Sequence, residues 1–310
     1  MSVDLDGLLD ILDDRVRTEF AAMPEVQDVD DLDVDRLPRP GARKWMKQED
    51  VVAVVCDLKG STALGLGKHD RSTASIYEAA TGGAVTILNQ FGADFIAIQG
   101  DGAFGLYWGD RAIERAVCAG ITIKTFSADQ LIKRLEAKWP DGPNTGFKVG
   151  IAHGRVLAKL IGTQRKTDQQ EPVWAGTPVN YAAKAAQAAD RHQLIITDAV
   201  WQKIQLIDFL RYTCGCTNGT PGTPTNGLWT KVTIDNIPAD RSDRHGQLLN
   251  ATWCVNHGAE YVDAILLGEK ANPATTALRA KETKEQAQAA HEALQAQRQS
   301  DRTARRRGMR

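Results

Sequence analysis

The feature that most constrains the fold is a pair of short apolar stretches joined by a three-residue turn. DFIAIQ and AFGLYWG, over residues 94–109, are separated only by Gly100-Asp101-Gly102. Two strand-like stretches joined by so short a glycine-containing loop predict an antiparallel hairpin. A hairpin-rich sheet with helices between its strands is typical of the α+β class, not of a doubly wound parallel sheet.

The other strongly patterned stretches agree with this class. VVAVVCDL, at residues 51–58, is continuous and β-branched, which predicts a buried strand. We expect a mixed sheet flanked by helices. The further predicted elements are a helix over residues 71–92 that ends at Gly92, a helix over about 110–137, a second strand pair in FKVGIAHGRVLAKLIG, a helix from Thr177 to about Arg191, and a strand in QLIIT.

Composition and the chain's first residues bear on location. Of the 310 residues, 42% are hydrophobic and 25% are charged, as in an ordinary soluble domain. No run of about 18 apolar residues occurs, and the acidic opening MSVDLDGLLD lacks the plan of a signal peptide. We therefore expect a cytoplasmic protein without a membrane partner. In that reducing compartment, five cysteines argue against a disulfide framework.

Four segments are expected along the chain. Residues 1–49 combine an amphipathic helix with an acidic, proline-bearing linker, and residues 50–210 form the main domain. Residues 211–270 are a loop-rich extension. Residues 271–310 are a tail with nine basic and four acidic residues. Disorder is favoured over a solvated helix for this tail, because it has few apolar residues with which to dock.

Two carboxylates at predicted strand ends, each beside glycine, are candidate metal ligands. Asp57 follows a buried strand, and Asp101 lies in the hairpin turn. Mg²⁺ typically binds one or two carboxylates together with substrate phosphates. The main-chain amides of Lys59-Gly60-Ser61-Thr62, which follow Asp57, could hold phosphate oxygens. Taken singly, Asp57 could instead cap a helix and Asp101 could be an ordinary turn residue.

Four blocks of the sequence together resemble the class III adenylate and guanylate cyclases. The resemblance covers about residues 50–200, in the order found in the family, and implies an α+β fold with a ferredoxin-like mixed sheet flanked by helices. The blocks that carry it are VVAVVCDLKGSTALG, FGADFIAIQGDGAFGLYWG, VGIAHGRV and PVWAGTPVNYAAKAAQAAD.

The resemblance assigns roles to individual residues. Asp57 and Asp101 match the two metal-binding aspartates, and the carbonyl of Leu58 matches the backbone ligand. Asn180 matches the asparagine that orients the ribose. Lys184 stands where the family usually has an arginine that stabilises the transition state. The positive charge is therefore kept, but the planar guanidinium, which can donate two parallel hydrogen bonds, is lost. The implied cofactors are two divalent cations, Mn²⁺ or Mg²⁺.

The resemblance also implies partners. In the family, the metals come from one subunit and the asparagine–arginine helix from the other, so a single copy of each set implies a homodimer. The expected partners are a nucleoside triphosphate substrate and a second copy of the chain. No nucleic acid is expected, and a downstream cyclic-nucleotide effector is not bound directly.

The positions that read a purine base in the family carry Ala97 and Val173 here. Neither side chain can form a hydrogen bond with a purine edge. The chain therefore looks more like the pyrimidine cyclases of bacterial anti-phage defence, the Pycsar type, with UTP favoured over CTP as substrate. A cytidylate cyclase, an adenylate cyclase with altered base contacts and a catalytically weak nucleotide-binding module are the alternatives.

A second metal site is suggested outside these blocks. Cys214-x-Cys216 lies in a Gly/Pro/Thr-rich loop, and Cys254-x-x-His257 follows about forty residues later. Two such pairs suit a tetrahedral structural zinc, although the spacing is not that of the common fingers. The alternative is two loop thiols, a buried cysteine and a surface histidine without a metal.

Overall fold

The computed structural model describes residues 3–64, 69–142, 144–217 and 219–307. The helices are α1 (Leu5–Ala21), α2 (Asp70–Tyr77), α3 (Gly83–Gln90), α4 (Ala112–Phe126), α5 (Ile132–Lys138), α6 (Thr177–Ala188), α7 (Asp198–Ile204), α8 (Asp208–Arg211), α9 (Gly258–Leu267) and α10 (Thr276–Arg307). The strands are β1 (Glu25–Asp28), β2 (Lys44–Lys59), β3 (Phe95–Gln99), β4 (Gly102–Tyr107), β5 (Gly146–Gly162), β6 (Gln170–Gly176), β7 (Gln193–Thr197), β8 (Trp229–Thr233) and β9 (His245–Leu249).

The chain forms two compact units. The first comprises Met1–Lys203 and Lys231–Thr252, and the second comprises Ile204–Thr230 and Trp253–Arg310. Strand β9 and most of β8 thus belong to the first unit, although the sequence assigned them to the loop-rich extension. In the described part of the chain, every helix is too short or too polar to cross a membrane.

The sheet of the first unit has the order β3-β4-β2-β5-β7-β9-β8, with β1 beside β2 and β6 beside β5. The β2–β4, β2–β5, β3–β4, β5–β6 and β7–β9 pairs are antiparallel, whereas β1–β2 and β5–β7 are parallel. The predicted β3–β4 hairpin is present, with Gln99 opposite Gly102. The expected α+β class with a mixed sheet is therefore confirmed.

One predicted strand pair is a single strand. Residues 147–162 were expected to turn back on themselves, but β5 runs through without a reversal. It pairs with β2 from Gly146 opposite Lys59 to Ala158 opposite Met46, with an irregularity between Gln48 and Val51, and its last part also pairs with β6. Because β2 and β6 supply partners along its whole length, the His-Gly dipeptide in its middle remains extended.

The long predicted helices are present, each with an irregular turn. The helix expected over residues 71–92 consists of α2, a π-helical turn at Glu78–Gly82 and α3, and it ends at Gly92 with φ +67°. The helix expected over residues 110–137 consists of α4, a second π-helical turn at Ser127–Leu131 and α5. The prediction that the first of these helices ends at Gly92 is confirmed. A residue in the left-handed conformation commonly ends a helix.

Helices cover both faces of this sheet. On one face, Ala182 and Ala185 of α6 join a buried apolar cluster with Ala53 and Leu106. On the other face, a Cβ on Gly120 of α4 would approach the side chain of Ile151. Small residues at both contacts let the helix backbones lie close to the strands, which fixes where α6 stands relative to the sheet.

The N-terminal helix is confirmed, but its apolar side chains remain exposed. Leu9, Ile11 and Phe20 of α1 are among them. Arg43, which precedes β2, bonds the carbonyl oxygens of Thr18 and other residues near the end of α1. The helix is thus held to the first unit at its C-terminal end by hydrogen bonds and not by apolar burial.

The tail differs from the favoured expectation of disorder, because α10 extends from Thr276 to Arg307. Ala, Gln, Lys, Glu and Arg are strong helix formers, which explains helix formation without apolar docking. Within the second unit, Glu282 accepts hydrogen bonds from Arg211 (2.7 Å) and from the hydroxyl of Tyr212 (2.8 Å). This anchors the first turns of α10, and its residues 283–299 are exposed.

Gly150 tests the contact between α6 and the sheet. A methyl group at this position would overlap with the Ala182 carbonyl oxygen and the Ala186 amide nitrogen of α6. We expect Gly150→Ala to lower the free energy of unfolding by about 1–3 kcal/mol, because helix backbone cannot yield as a side chain can. Urea unfolding of the purified protein measures this loss.

Gly82→Ala is the matched control for that variant. Gly82 has φ −61°, and its added Cβ would meet only the flexible Glu78 side chain at 3.5 Å. It should unfold at the wild-type urea concentration or slightly above it. Equal stability of Gly150→Ala and wild type would show that α6 is not packed as described.

Candidate active site

The sheet brings Asp57 and Asp101 to the same edge of two neighbouring strands. Strands β2 and β4 are antiparallel, with Cys56 opposite Ala103, so Asp57 stands beside the β3–β4 turn that contains Asp101. A Cβ on Gly102 would lie 2.6 Å from the Cys56 carbonyl oxygen, so glycine is needed where the turn approaches β2. The strand pairing therefore supplies two carboxylates at one place.

The Asp101 carboxylate has one oxygen whose capacity to accept hydrogen bonds is unused among the described residues. Its Oδ2 atom is buried and has no hydrogen-bond partner among the described residues. The Asp101 main-chain carbonyl does have one, because Thr81 Oγ1 donates to it at 3.3 Å. A buried carboxylate oxygen without a partner is costly, and hard divalent cations prefer such oxygen ligands. The residues at this edge thus fit a divalent cation.

Asp57 is paired with a lysine that the sequence did not single out. Lys148 lies opposite Asp57 in β5, and its Nζ is 2.6 Å from Asp57 Oδ2. The Lys148 side chain is 17% exposed, whereas that of Asp57 is 44% exposed and remains open to solvent. A lysine inside the apolar stretch FKVGIA was the available signal, but its partner is revealed only by the strand register.

The turn after β2 carries the candidate phosphate-binding residues, 59–62. Gly60 has φ +71°, and Ser61 and Thr62 begin a short 3₁₀ helix. Thr145 Oγ1 donates to the Lys59 carbonyl at 2.6 Å, which holds the turn. The Lys59 ammonium is paired with Asp190. A phosphate at this turn would therefore contact the main-chain amides, unless it displaces Asp190 from Lys59. Residues 65–68 lie outside the described part of the chain.

Leu58, the candidate backbone ligand, lies between Asp57 and this turn. Its side chain is buried, and it stands opposite Phe147 in the β2–β5 pair. Burial of the side chain fixes the orientation of the adjoining peptide groups.

Asn180 and Lys184 lie one turn apart on α6, as their spacing predicts. Asn180 is exposed, and its amide nitrogen donates to the Gly176 carbonyl at 3.1 Å. The Lys184 ammonium lies 5.6 Å from the centre of the Tyr181 ring, so it is directed back toward the start of the helix. Neither side chain has a described contact with Asp57 or Asp101.

The strand register shows where α6 lies along the sheet relative to Asp57. Thr177, the first residue of α6, packs on Gly154, which pairs with Val51. Val51 precedes Asp57 by six residues on β2, and six extended residues span about 20 Å. That distance applies only to the start of α6, because Ala182 and Ala186, on either side of Lys184, pack on Gly150, which pairs with Val55, two residues before Asp57.

Ala97 and Val173, at the expected base-reading positions, lie on strands β3 and β6. Ala97 packs against the apolar cluster beneath α6, and Val173 is 40% exposed. Beside them, the Phe95 and Trp174 rings are 4.9 Å apart. Trp174 Nε1 is buried without a hydrogen-bond partner in the described chain, so the neighbourhood holds one unpaired donor that the sequence had not indicated.

Solved structures of other proteins share this fold. No protein-family model matches the chain. The crystal structure of an adenylyl cyclase from P. aeruginosa superposes with a TM-score of 0.51, at 15% identity, over 66% of this chain and 96% of that one. The fold is therefore that of the class III nucleotidyl cyclases, and the structure agrees with the resemblance carried by the four sequence blocks.

Two curated relatives are much more similar in sequence. A uridylate cyclase of Propioniciclava tarda is 52% identical over 278 residues, which cover 89% of this chain and 88% of the relative. A uridylate cyclase of Micromonospora echinofusca is 55% identical over 269 residues, covering 86% of each. The chain belongs to this uridylate cyclase family, and it is a nucleotidyl cyclase.

Proposed function

We propose that the protein converts UTP into 3′,5′-cyclic UMP and pyrophosphate, in a homodimer that uses two divalent cations. The catalytic part of this proposal is supported by the position of Asp57 and Asp101 at the same edge of the sheet. A buried oxygen of Asp101 lacks a hydrogen-bond partner among the described residues. The choice of UTP is supported by the two relatives named uridylate cyclase, each more than half identical to this chain.

Asp57, Asp101 and the Leu58 carbonyl would hold the two cations, Mn²⁺ or Mg²⁺. When bound, such cations lower the pKa of the ribose 3′-hydroxyl and neutralise the triphosphate. The chain's own task is positioning. The main-chain amides of Gly60, Ser61 and Thr62 face the phosphates, and the 3′-oxygen attacks the α-phosphorus in line with the departing pyrophosphate.

Asn180 and Lys184 act in the site of the partner subunit. Within one chain, the described contacts of Asn180 and Lys184 are with residues of their own helix or its first turn and not with Asp57 or Asp101, which supports this arrangement. In the shared site, the Asn180 amide orients the ribose, and the Lys184 ammonium stabilises the charge that develops at the α-phosphate. Two-fold symmetry then gives two equivalent sites.

Base selection rests on shape. Ala97 and Val173 offer no side-chain hydrogen bond, so the pocket has no means there to recognise a purine edge. A pyrimidine is smaller, and closure of the pocket around these two positions excludes the second ring. Uracil and cytosine differ at O4/N4 and N3, and one misplaced donor is worth only about 1–3 kcal/mol.

Cyclic UMP would act as a second messenger in bacterial anti-phage defence. This assignment rests on the resemblance to the Pycsar cyclases. The product would diffuse through the cytoplasm to its effector, so no binding surface for that effector is required on this chain. Neither nucleic acid nor a membrane takes part.

The direct test of the proposal supplies all four nucleoside triphosphates at equal concentration with Mn²⁺. We expect cyclic UMP as the main product, a smaller amount of cyclic CMP, and little purine product, because the extra ring does not fit. Chromatography with mass detection identifies the products. Cyclic AMP or cyclic GMP in the largest amount would contradict the choice of UTP while leaving the cyclase class intact.

The two aspartates are tested by charge removal at nearly constant shape. Asp57→Asn and Asp101→Asn should each lower kcat by about 10²–10³ or more, because charge stabilisation at the phosphates is lost. They should also lose the rise in Tm that Mn²⁺ gives to the wild type. Asp110→Asn, which changes a carboxylate that is 96% exposed, is the control and should retain both properties.

Sharing of the site between subunits is tested by mixing inactive variants. Asp57→Ala and Lys184→Ala chains should each be nearly inactive. After subunit exchange, half of the dimers are hybrids with one intact site, so about a quarter of the wild-type activity should return. Mixing Asp57→Ala with Asp101→Ala should restore nothing, since both residues belong to the same set. Recovery in neither mixture, despite proven exchange, would mean that each site lies within one chain.

A further inference from the structure

The second unit contains a cluster of four metal-ligating side chains that the cyclase chemistry does not use. Cys214, Cys216, Cys254 and His257 each offer one ligand atom, and these atoms all lie within 4.8 Å of one another. His257 Nδ1 is 3.4 Å from Cys216 Sγ and 3.7 Å from Cys254 Sγ. The cysteines are free thiols. Four donors thus converge from two segments about forty residues apart.

The loop that carries the first cysteine pair is shaped by glycine. Gly215, between the cysteines, has φ +75°, and a Cβ there would overlap with the Thr223 backbone. A Cβ on Gly222 would in turn overlap with the Gly215 carbonyl. The loop is closed where Thr213 and Thr225 pair through their backbones at 2.9 Å. This close folding turns both sulfur atoms to one side.

The second pair lies at the start of α9. The Cys254 carbonyl accepts a hydrogen bond from the Gly258 amide at 2.7 Å, which forms a tight turn between the two ligands. His257 precedes the first residue of α9, and its ring lies 5.8 Å from that of Tyr261. Asn256 donates to the Gly219 carbonyl at 2.7 Å, so the two ligand-bearing segments also touch directly.

Apolar burial does not explain why these segments stay together. Between residues 213 and 230, none of the described residues is buried. A short stretch without a core needs another form of cross-link, and small folds commonly obtain one from a structural metal. A disulfide would use two of the three thiols and leave both the third and His257 without a role.

We propose that Cys214, Cys216, Cys254 and His257 bind one Zn²⁺ in a closed tetrahedral site that joins the loop at residues 213–225 to the start of α9. Zn–S bonds of about 2.3 Å place tetrahedral sulfur ligands about 3.8 Å apart, which agrees with the observed grouping. On binding, the three thiols lose their protons to solvent and coordinate as thiolates, with the imidazole neutral.

The donor chemistry separates this site from the catalytic one. Three sulfurs and one nitrogen select zinc, whereas the oxygen ligands at Asp57 and Asp101 suit Mg²⁺ or Mn²⁺. Four protein ligands leave no open position for a substrate, so the site is structural. The remaining cysteines lie elsewhere. Cys56 is buried, and burial raises the pKa of its thiol to about 12. Cys118 is buried within α4.

The full-length protein, dialysed against ZnCl₂ and then freed of excess ion, is analysed by elemental mass spectrometry. We expect about one zinc per chain in the wild type. Cys216→Ala and His257→Ala should lose it and unfold at a lower Tm. Their matched controls, Cys118→Ala and His291→Ala, should keep one zinc, and so should Asp57→Asn, which separates this outcome from the proposed function.

A measurement on the wild type guards against variants that fail to fold. Replacing zinc by Co²⁺ should give the intense visible d–d bands of tetrahedral cobalt and a thiolate-to-metal charge-transfer band. Wild-type protein with no tightly bound zinc and no such spectrum would overturn the proposal. A disulfide between any two of the three cysteines, found by mass spectrometry of the protein purified without oxidant, would overturn it as well.

Discussion

Strand β2 and its register with β4 and β5 are the constraint on which the rest of the catalytic unit depends. The strand ends at the place where the β3–β4 turn and Lys148 of β5 come together around Asp57. Because side chains alternate between faces, a slip of one residue would turn Asp57 to the opposite face of the sheet and expose the apolar residues before it. Burial of VVAVV between two helical layers therefore fixes the position of the Asp57 carboxylate, which is itself 44% exposed.

Much of this architecture could be predicted because short stretches of sequence determine it locally. The Gly100–Gly102 turn, the β-branched run of β2 and the glycine after α3 each specify a local conformation whatever lies around them. The continuity of β5 could not be predicted in this way. Its His-Gly dipeptide reads locally as a turn, and only the long partners β2 and β6 keep it extended. The tail also differs from its expected disorder, because its strong helix formers specify a helix even where no apolar face docks.

The candidate site shows the same division. Asp57 and Asp101 could be selected because residue type, strand ends and glycine neighbours suit metal ligands and because the blocks around them resemble those of the class III cyclases, and the sheet does bring them together. Lys148 could not be selected from the sequence, because its role depends on Asp57, which lies opposite it in the neighbouring strand. At the expected base-reading positions, the sequence indicated only that polar side chains are lacking. The unpaired Trp174 Nε1 beside them could not be predicted, because its burial depends on packing among aromatic rings from three different strands.

The Lys148–Asp57 ion pair has a consequence for which ions can compete at this edge of the sheet. The lysine already supplies a single positive charge to the carboxylate at 2.6 Å. It is tethered to the adjacent strand, so its effective concentration there far exceeds that of dissolved K⁺ or Na⁺, and such ions gain nothing by replacing it. Only an ion of greater charge density, drawn also by the second carboxylate, improves on the ammonium. For the proposed cation site, discrimination against monovalent salts would thus follow from the pairing of two strands.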